Sequence, residues 1–78
     1  MNSPMGSQTL RDEIAAQLRR EIACGRLADG EELTQERVSA ALEVSRIPVR
    51  EAFLQLENEG VLRRLPNRHI QVVGTTPQ

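Results

Sequence analysis

The 78-residue chain carries ten arginines, no lysine, eleven carboxylates and a net charge of −1, with Phe53 its single aromatic residue. That length makes one small domain without room for a second core, and one aromatic residue provides no stacking surface for single-stranded nucleic acid. With one cysteine, one histidine, no paired carboxylates and no glycine-rich phosphate loop, no disulfide, metal, cofactor or catalytic residue is expected, and an enzyme is the least supported class.

In chain order, "MNSPMGSQ" has neither a basic region nor an apolar stretch and reads as a short disordered tail over residues 1–8. The segment "TLRDEIAAQLRREIACG" predicts a helix capped by Thr9, with Asp12 in its first turn and Gly25 at its end. Leu10, Ile14, Leu18 and Ile22 recur every four residues beside Ala15, giving one apolar stripe for a core or a partner. Cys24 fills space near the helix end and, unpaired, points to a reducing, intracellular setting. "RLADGEEL" is a loop with a turn at Asp29-Gly30 and inward anchors at Leu27 and Leu33.

"TQERVSAAL" predicts a short helix capped by Thr34 that buries Val38, Ala41 and Leu42, followed by a tight turn, "EVS". A third helix runs from about Arg46 to Glu59, with Ser45 as its cap and Val49, Ala52, Phe53 and Leu56 as its buried stripe. Gly60 takes the left-handed position after it, letting Val61 touch Leu56. "VLRRLPNRHIQVV" alternates as two short strands around a Pro66-Asn67 turn, with Ile70 and Val72 facing inward. Consecutive on a strand, Arg63 and Arg64 point to opposite faces, one to a partner or solvent and the other to Glu57 or Glu59. Residues 75–78, "TTPQ", are a polar tail or the start of a linker, and no apolar run approaches the ~18 residues that span a bilayer. The fold class is mainly α with a small β-hairpin, a winged helix-turn-helix of three helices plus a two-stranded wing. Its domain covers residues 9–74, with the helix-turn-helix at about 34–53 and the wing at about 61–73.

The charge is unevenly distributed. Residues 1–33 hold four arginines against six acids, whereas residues 46–73 hold five arginines against three. A phosphate responds to that local excess. Arginine forks suit guanine edges and phosphates, although a GC-rich genome choosing arginine codons gives the same composition. Arg46 and Arg50 open the third helix, where the positive end of the helix dipole and an exposed face suit DNA. The bland reading is a solvated face on which Arg50 pairs with Glu51 or Glu57. Pro48 falls at the third helical position, where its missing N–H costs nothing.

"LTQERVSAALEVSRIPVREAFLQLENEGVLRRLPNRHIQVV" strongly resembles the DNA-binding domain of GntR-family bacterial transcription regulators. Its "VSRIPVREA" core looks most like the FadR/FCD branch, and "IAAQLRREIACGRLADGEEL" is similar to the family's pattern of helix, glycine and turn ahead of a leucine. The likeness covers about residues 9–73. It implies a dimeric, ligand-responsive, cytoplasmic repressor or activator that places one copy on each half-site of a palindromic double-stranded operator. The effector ligand would bind a separate domain. The chain would be an excised N-terminal domain, monomeric or weakly dimeric by itself.

By the same resemblance Ser45 caps the helix or meets phosphate, Arg46 and Arg50 are principal DNA contacts, and Ile47 and Pro48 lie against DNA. Thr34, Gln35 and Arg37 touch the backbone, while Asn67, Arg68 and His69 approach the minor groove. Departures from the family pattern are Glu43 and His69 where glycine is usual, Asp29-Gly30 for Pro-Gly, and Glu36 and Leu54 where a basic residue is common. Glu36, Glu43, exposed Leu54 and the net charge define the alternative, a winged protein-interaction module that has lost DNA binding.

Overall fold

A computed structural model describes the backbone of residues 7–73 and the side chains of residues 10–73. Helix α1 spans Ser7–Ala23, strand β1 Glu32–Leu33, helix α2 Gln35–Leu42, helix α3 Arg46–Glu59, strand β2 Leu62–Arg64 and strand β3 Ile70–Val72. Residues 1–6 of the expected N-terminal tail, the whole expected tail 75–78 and residue 74 at the expected end of the domain lie outside the described residues. Ser7 and Gln8, expected in the tail, are already helical, so Thr9 lies within α1 and Asp12 beyond its first turn.

The core forms where the apolar stripes meet. Ile14, Ala15 and Leu18 of α1 pack with Val38 of α2 and with Val49, Ala52, Phe53 and Leu56 of α3, and Leu33, Leu62, Ile70 and Val72 close it from the sheet. Leu10, Ile22, Leu27, Leu42, Val44 and Val61 pack around its edge. No polar or charged residue among those described is buried in it. The predicted stripes of α1 and α3 therefore hold. On α2 only Val38 is buried. Eight residues make little more than two turns, so Leu42 reaches the core's edge and Ala41 faces solvent. Cys24 is likewise exposed just past the end of α1, so it fills no interior space.

Both later helices end in left-handed residues. At the end of α3 Gly60 has φ 86°, its N–H bonds to the Glu57 carbonyl at 3.0 Å, and the Val61 N–H bonds to Leu56 at 3.1 Å. This is the anticipated Schellman ending. The same crossing ends α2, where the Val44 N–H bonds to the Ser39 carbonyl at 3.0 Å, but the residue forced to φ 59°, ψ 46° is Glu43. A Cβ in that region clashes with the following carbonyl, at a cost of about 1–2 kcal/mol, and glycine escapes it. Glu43→Gly should therefore raise the urea midpoint by the equivalent of about 0.5–1 kcal/mol, the gain being reduced by glycine's freer unfolded chain. An unchanged or lowered midpoint would show that the turn is unstrained.

The sheet holds three antiparallel strands in the order β1-β3-β2, one more than the hairpin expected. Leu62 pairs with Val72, Arg63 with Gln71 and Arg64 with Ile70 on one side, and Glu32 with Gln71 and Leu33 with Ile70 on the other. The short β1 is extended by Gly30 donating to Val72 at 2.7 Å and Val72 donating to Glu31 at 2.8 Å. The period-two pattern puts Ile70 and Val72 inward as anticipated.

One side-chain pair ties the two long helices together. The Arg19 guanidinium donates to both Glu59 carboxylate oxygens, at 2.9 Å from Nε and 2.6 Å from Nη2. Those hydrogen bonds, more than the charge attraction, hold the Glu59 carboxyl below its ordinary value and raise the guanidinium of Arg19. Because the pair is well exposed, it adds at most about 1 kcal/mol. Helices, sheet and core together make a winged helix-turn-helix, with α2 and α3 as the motif and β2–β3 as the wing.

Candidate nucleic-acid interface

The Glu43–Ser45 turn and the burial of Val38 and Val49 set α3 against the core so that the start of the helix is open to solvent. Its opening residues divide cleanly. Pro48 and Val49 are buried, whereas Arg46, Ile47 and Arg50 are exposed. Pro48, anticipated as a surface against DNA, thus faces inward. It stiffens a first turn whose N–H groups lack helical acceptors anyway. Ser45 has the extended backbone of an N-cap, but its side chain makes no capping bond. Thr34 does cap α2, its Oγ1 accepting from the Arg37 N–H at 3.1 Å.

Arg46 and Arg50 differ in what holds them. Arg46 Nη2 lies 3.3 Å from Glu36 Oε2 in the first turn of α2, and the two side chains are 63% and 74% exposed. Such a pair is weak and easily parted. Arg50 has no ion-pair partner among the described residues, and Glu57, one of its two anticipated partners, is instead bonded by Arg64 Nε at 3.2 Å. The other, Glu51, shows no bond to it.

Arg50 opens onto a cleft of about 480 Å³ between α3, the start of α2 and the wing, lined by Gln35, Arg50, Phe53, Arg64, Leu65, Pro66, Arg68 and Ile70. Three arginines and no acidic residue line it, with Arg64 drawn to Glu57 beside it and Arg50 and Arg68 without an ion-pair partner among the described residues. Apolar walls beside like charges focus a positive potential, which suits a phosphate. Arg64 is the member the sequence left undecided. Strand alternation puts it on the same face as Leu62, toward α3, while Arg63 stands outward.

At the wing tip the Arg68 N–H donates to the Leu65 carbonyl at 3.0 Å, and the Leu65 N–H donates to His69 at 2.9 Å. The left-handed residue is Arg68, φ 75°, not His69. The glycine missing at His69 therefore leaves the turn intact, and the backbone constraint falls one residue earlier. Asn67 Oδ1 accepts from the His69 N–H at 3.1 Å, bracing the turn. His69 Nδ1 lies 2.8 Å from Glu32 Oε1, a cross-strand partner that the sequence did not disclose because Glu32 belongs to the unanticipated strand β1.

Gln35, Arg50 and Arg68 thus share one cleft with Arg64, and Arg46 and Ile47 stand exposed on the first turn of α3. Arg37 is exposed but lines a different groove, beside Leu27, Val38 and Leu42. Leu54 is 41% exposed, in a shallow depression with Arg11, Glu51, Gln55 and Asn58. Among the described residues no group of histidine, cysteine, aspartate and glutamate could hold a metal ion, and no helix is long and apolar enough to cross a membrane.

Residues 10–72 match the family described as "Bacterial regulatory proteins, gntR family". The chain is 39% identical over 62 residues to the HTH-type transcriptional repressor RspR of Escherichia coli strain K12, covering 80% of this chain and 27% of RspR. It is 31% identical over 52 residues to an uncharacterized HTH-type transcriptional regulator of Mycobacterium tuberculosis, over 67% of this chain and 21% of that one. A GntR-family transcriptional regulator from Pseudomonas syringae pv. tomato has a crystal structure similar to this one, with TM-score 0.79 and 34% identity, over 95% of this chain and 31% of that chain. The chain spans about a quarter of the length of the curated relatives it matches.

Proposed function

Because the chain belongs to the gntR family of bacterial regulatory proteins, we propose that it binds double-stranded DNA sequence-specifically, with α3 in the major groove and the wing at the minor groove. The observation that carries this reading is the cleft lined by Arg50 and Arg68 with no ion-pair partner among the described residues, and by Arg64 paired with Glu57, beside the exposed first turn of α3. Helix N-termini in the major groove read bases, and flanking cations hold phosphates. Arg46 and Arg50 are the principal contacts. Thr34, Gln35, Arg37 and the Ser45 hydroxyl meet the backbone, and Asn67, Arg68 and His69 approach the minor groove.

In the same proposal the chain is the DNA-binding part of a longer cytoplasmic regulator of the FadR/FCD-like branch. That regulator forms a homodimer on a palindromic operator, one half-site per copy, and carries its effector-binding domain elsewhere. The relative RspR is named a repressor, and repression is the proposed sense here. The protein-docking alternative has less support. Glu36 is engaged with Arg46, and Glu43 occupies a helix end.

The test is selection from a random DNA pool, followed by anisotropy titrations of the chain at two salt concentrations. Enrichment of one half-site, with log affinity falling at a slope near −0.9 per phosphate contacted, is expected. No enrichment, or binding indifferent to salt, would overturn the reading.

Glu36 gives a second prediction. Arg46 must leave Glu36 before it meets DNA, so Glu36→Gln should tighten binding about two- to fivefold at low salt and less at high salt. Equal affinities at low salt would mean that the pair does not restrain Arg46.

A further inference from the structure

Ile47 is 66% exposed, the most exposed of the large apolar side chains described. It contributes nothing to the core and stands on the first turn of α3 between two exposed arginines, Arg46 and Arg50. Single exposed apolar residues are ordinary on protein surfaces. This one lies where the proposed complex brings protein closest to base edges, and that placement limits what it can meet there. Its side chain has no donor or acceptor, so hydrogen-bonding edges of guanine, adenine or cytosine offer it only desolvation. The one apolar group on the major-groove edge is the thymine 5-methyl.

Resting on the DNA-binding reading above, we propose that Ile47 is a specificity-determining residue that selects thymine at one position of the half-site by packing on its 5-methyl group. The flanking arginines supply charge complementarity to the phosphates or guanines on either side, which carries Ile47 into the groove whatever base lies beneath it. The β-branch fixes the side chain in essentially one helical rotamer, so little side-chain freedom is given up on binding. Long, flexible Arg46 and Arg50 reach past it. Short and stiff, Ile47 touches only a group that projects toward it, as the 5-methyl does.

The test uses the half-site obtained by selection, with each thymine replaced in turn by deoxyuridine, which removes the methyl and keeps every hydrogen-bonding group. At one thymine the wild-type chain should lose about three- to fivefold in affinity, the effect of uncovering roughly one methyl-sized group. Ile47→Ala should bind the thymine and deoxyuridine duplexes equally, and about as weakly as wild type binds the deoxyuridine one. Ile47→Val, which keeps the branch, should retain most of the discrimination. Circular dichroism checks that both variants are folded. If Ile47→Ala binds too weakly to titrate, the wild-type and Ile47→Val responses to deoxyuridine decide. The inference is overturned if no thymine is sensitive, if the sensitivity survives unchanged in Ile47→Ala, or if Ile47→Val discriminates no more than background. Failure of selection to return any site would overturn the DNA-binding reading itself. A selected site without methyl discrimination would leave that reading standing and remove only the role of Ile47.

Discussion

Phe53→Ala is expected to lower the stability of the chain by about 3–5 kcal/mol. Phe53 is 1% exposed and is the largest fully buried side chain among the described residues, in the core that all three helices share with the sheet. Truncating a buried phenylalanine costs about 3–5 kcal/mol, the lost transfer energy plus a cavity that the surroundings only partly fill. A domain of this length has a total stability of only about 4–12 kcal/mol at the usual per-residue value, so the substitution removes much of it. No second aromatic exists to repack the gap. Urea unfolding followed by circular dichroism measures the loss. A midpoint shift worth less than about 1.5 kcal/mol would mean that the core collapses around the cavity. Phe53 also walls the arginine cleft, so a variant rescued by low temperature should bind DNA poorly as well.

Arg50→Ala is expected to weaken DNA binding by about 1–3 kcal/mol, the range for a bidentate arginine contact. Arg46→Ala should cost less, since Arg46 gives up its bond to Glu36 on binding while Arg50 gives up no ion pair. The salt dependence separates two roles for Arg50. If Arg50 holds a phosphate, its removal reduces the salt slope by about 0.9 and weakens all sequences alike. If it reads a guanine, its removal relaxes preference at one base pair and leaves the slope nearly unchanged. Arg50→Lys sharpens the distinction, because an ammonium replaces a point charge adequately but not a planar fork. Affinity of Arg50→Ala within twofold of wild type at both salt concentrations would remove Arg50 from the interface.

The parts of the fold legible in the sequence are those written in local periodicity or in one residue's backbone preference. The stripe Val49, Ala52, Phe53 and Leu56, the span of α3 and the left-handed Gly60 with Val61 behind it all follow from near neighbours. The features that sequence does not disclose depend on distant pairing. Strand β1 is two residues long, too short to show a period in the sequence, and it exists because Gln71 and Ile70 lie alongside. The contact of His69 with Glu32 follows from that strand and is hidden with it. Pro48 is expected against DNA from the family resemblance alone, whereas in the first turn of α3 its side chain is buried. Of the site, the first turn of α3 is readable from Arg46, Ile47 and Arg50. The grouping of Arg50 with Arg64 and Arg68 is not, since it arises where the wing folds back beside α3.

An isolated two-stranded hairpin is marginally stable in water. Here β3 is the central strand, held on its far side through Gly30, Glu31 and Leu33 to the segment that follows α1. Bending the wing away from the helices would require breaking that second row of backbone bonds and lifting Ile70 and Val72 from the core. In the proposed complex the wing and α3 therefore approach the duplex as one preformed surface, with their relative orientation settled in the free protein. Little conformational entropy remains to be lost when Arg68 and His69 meet the minor groove of the proposed complex.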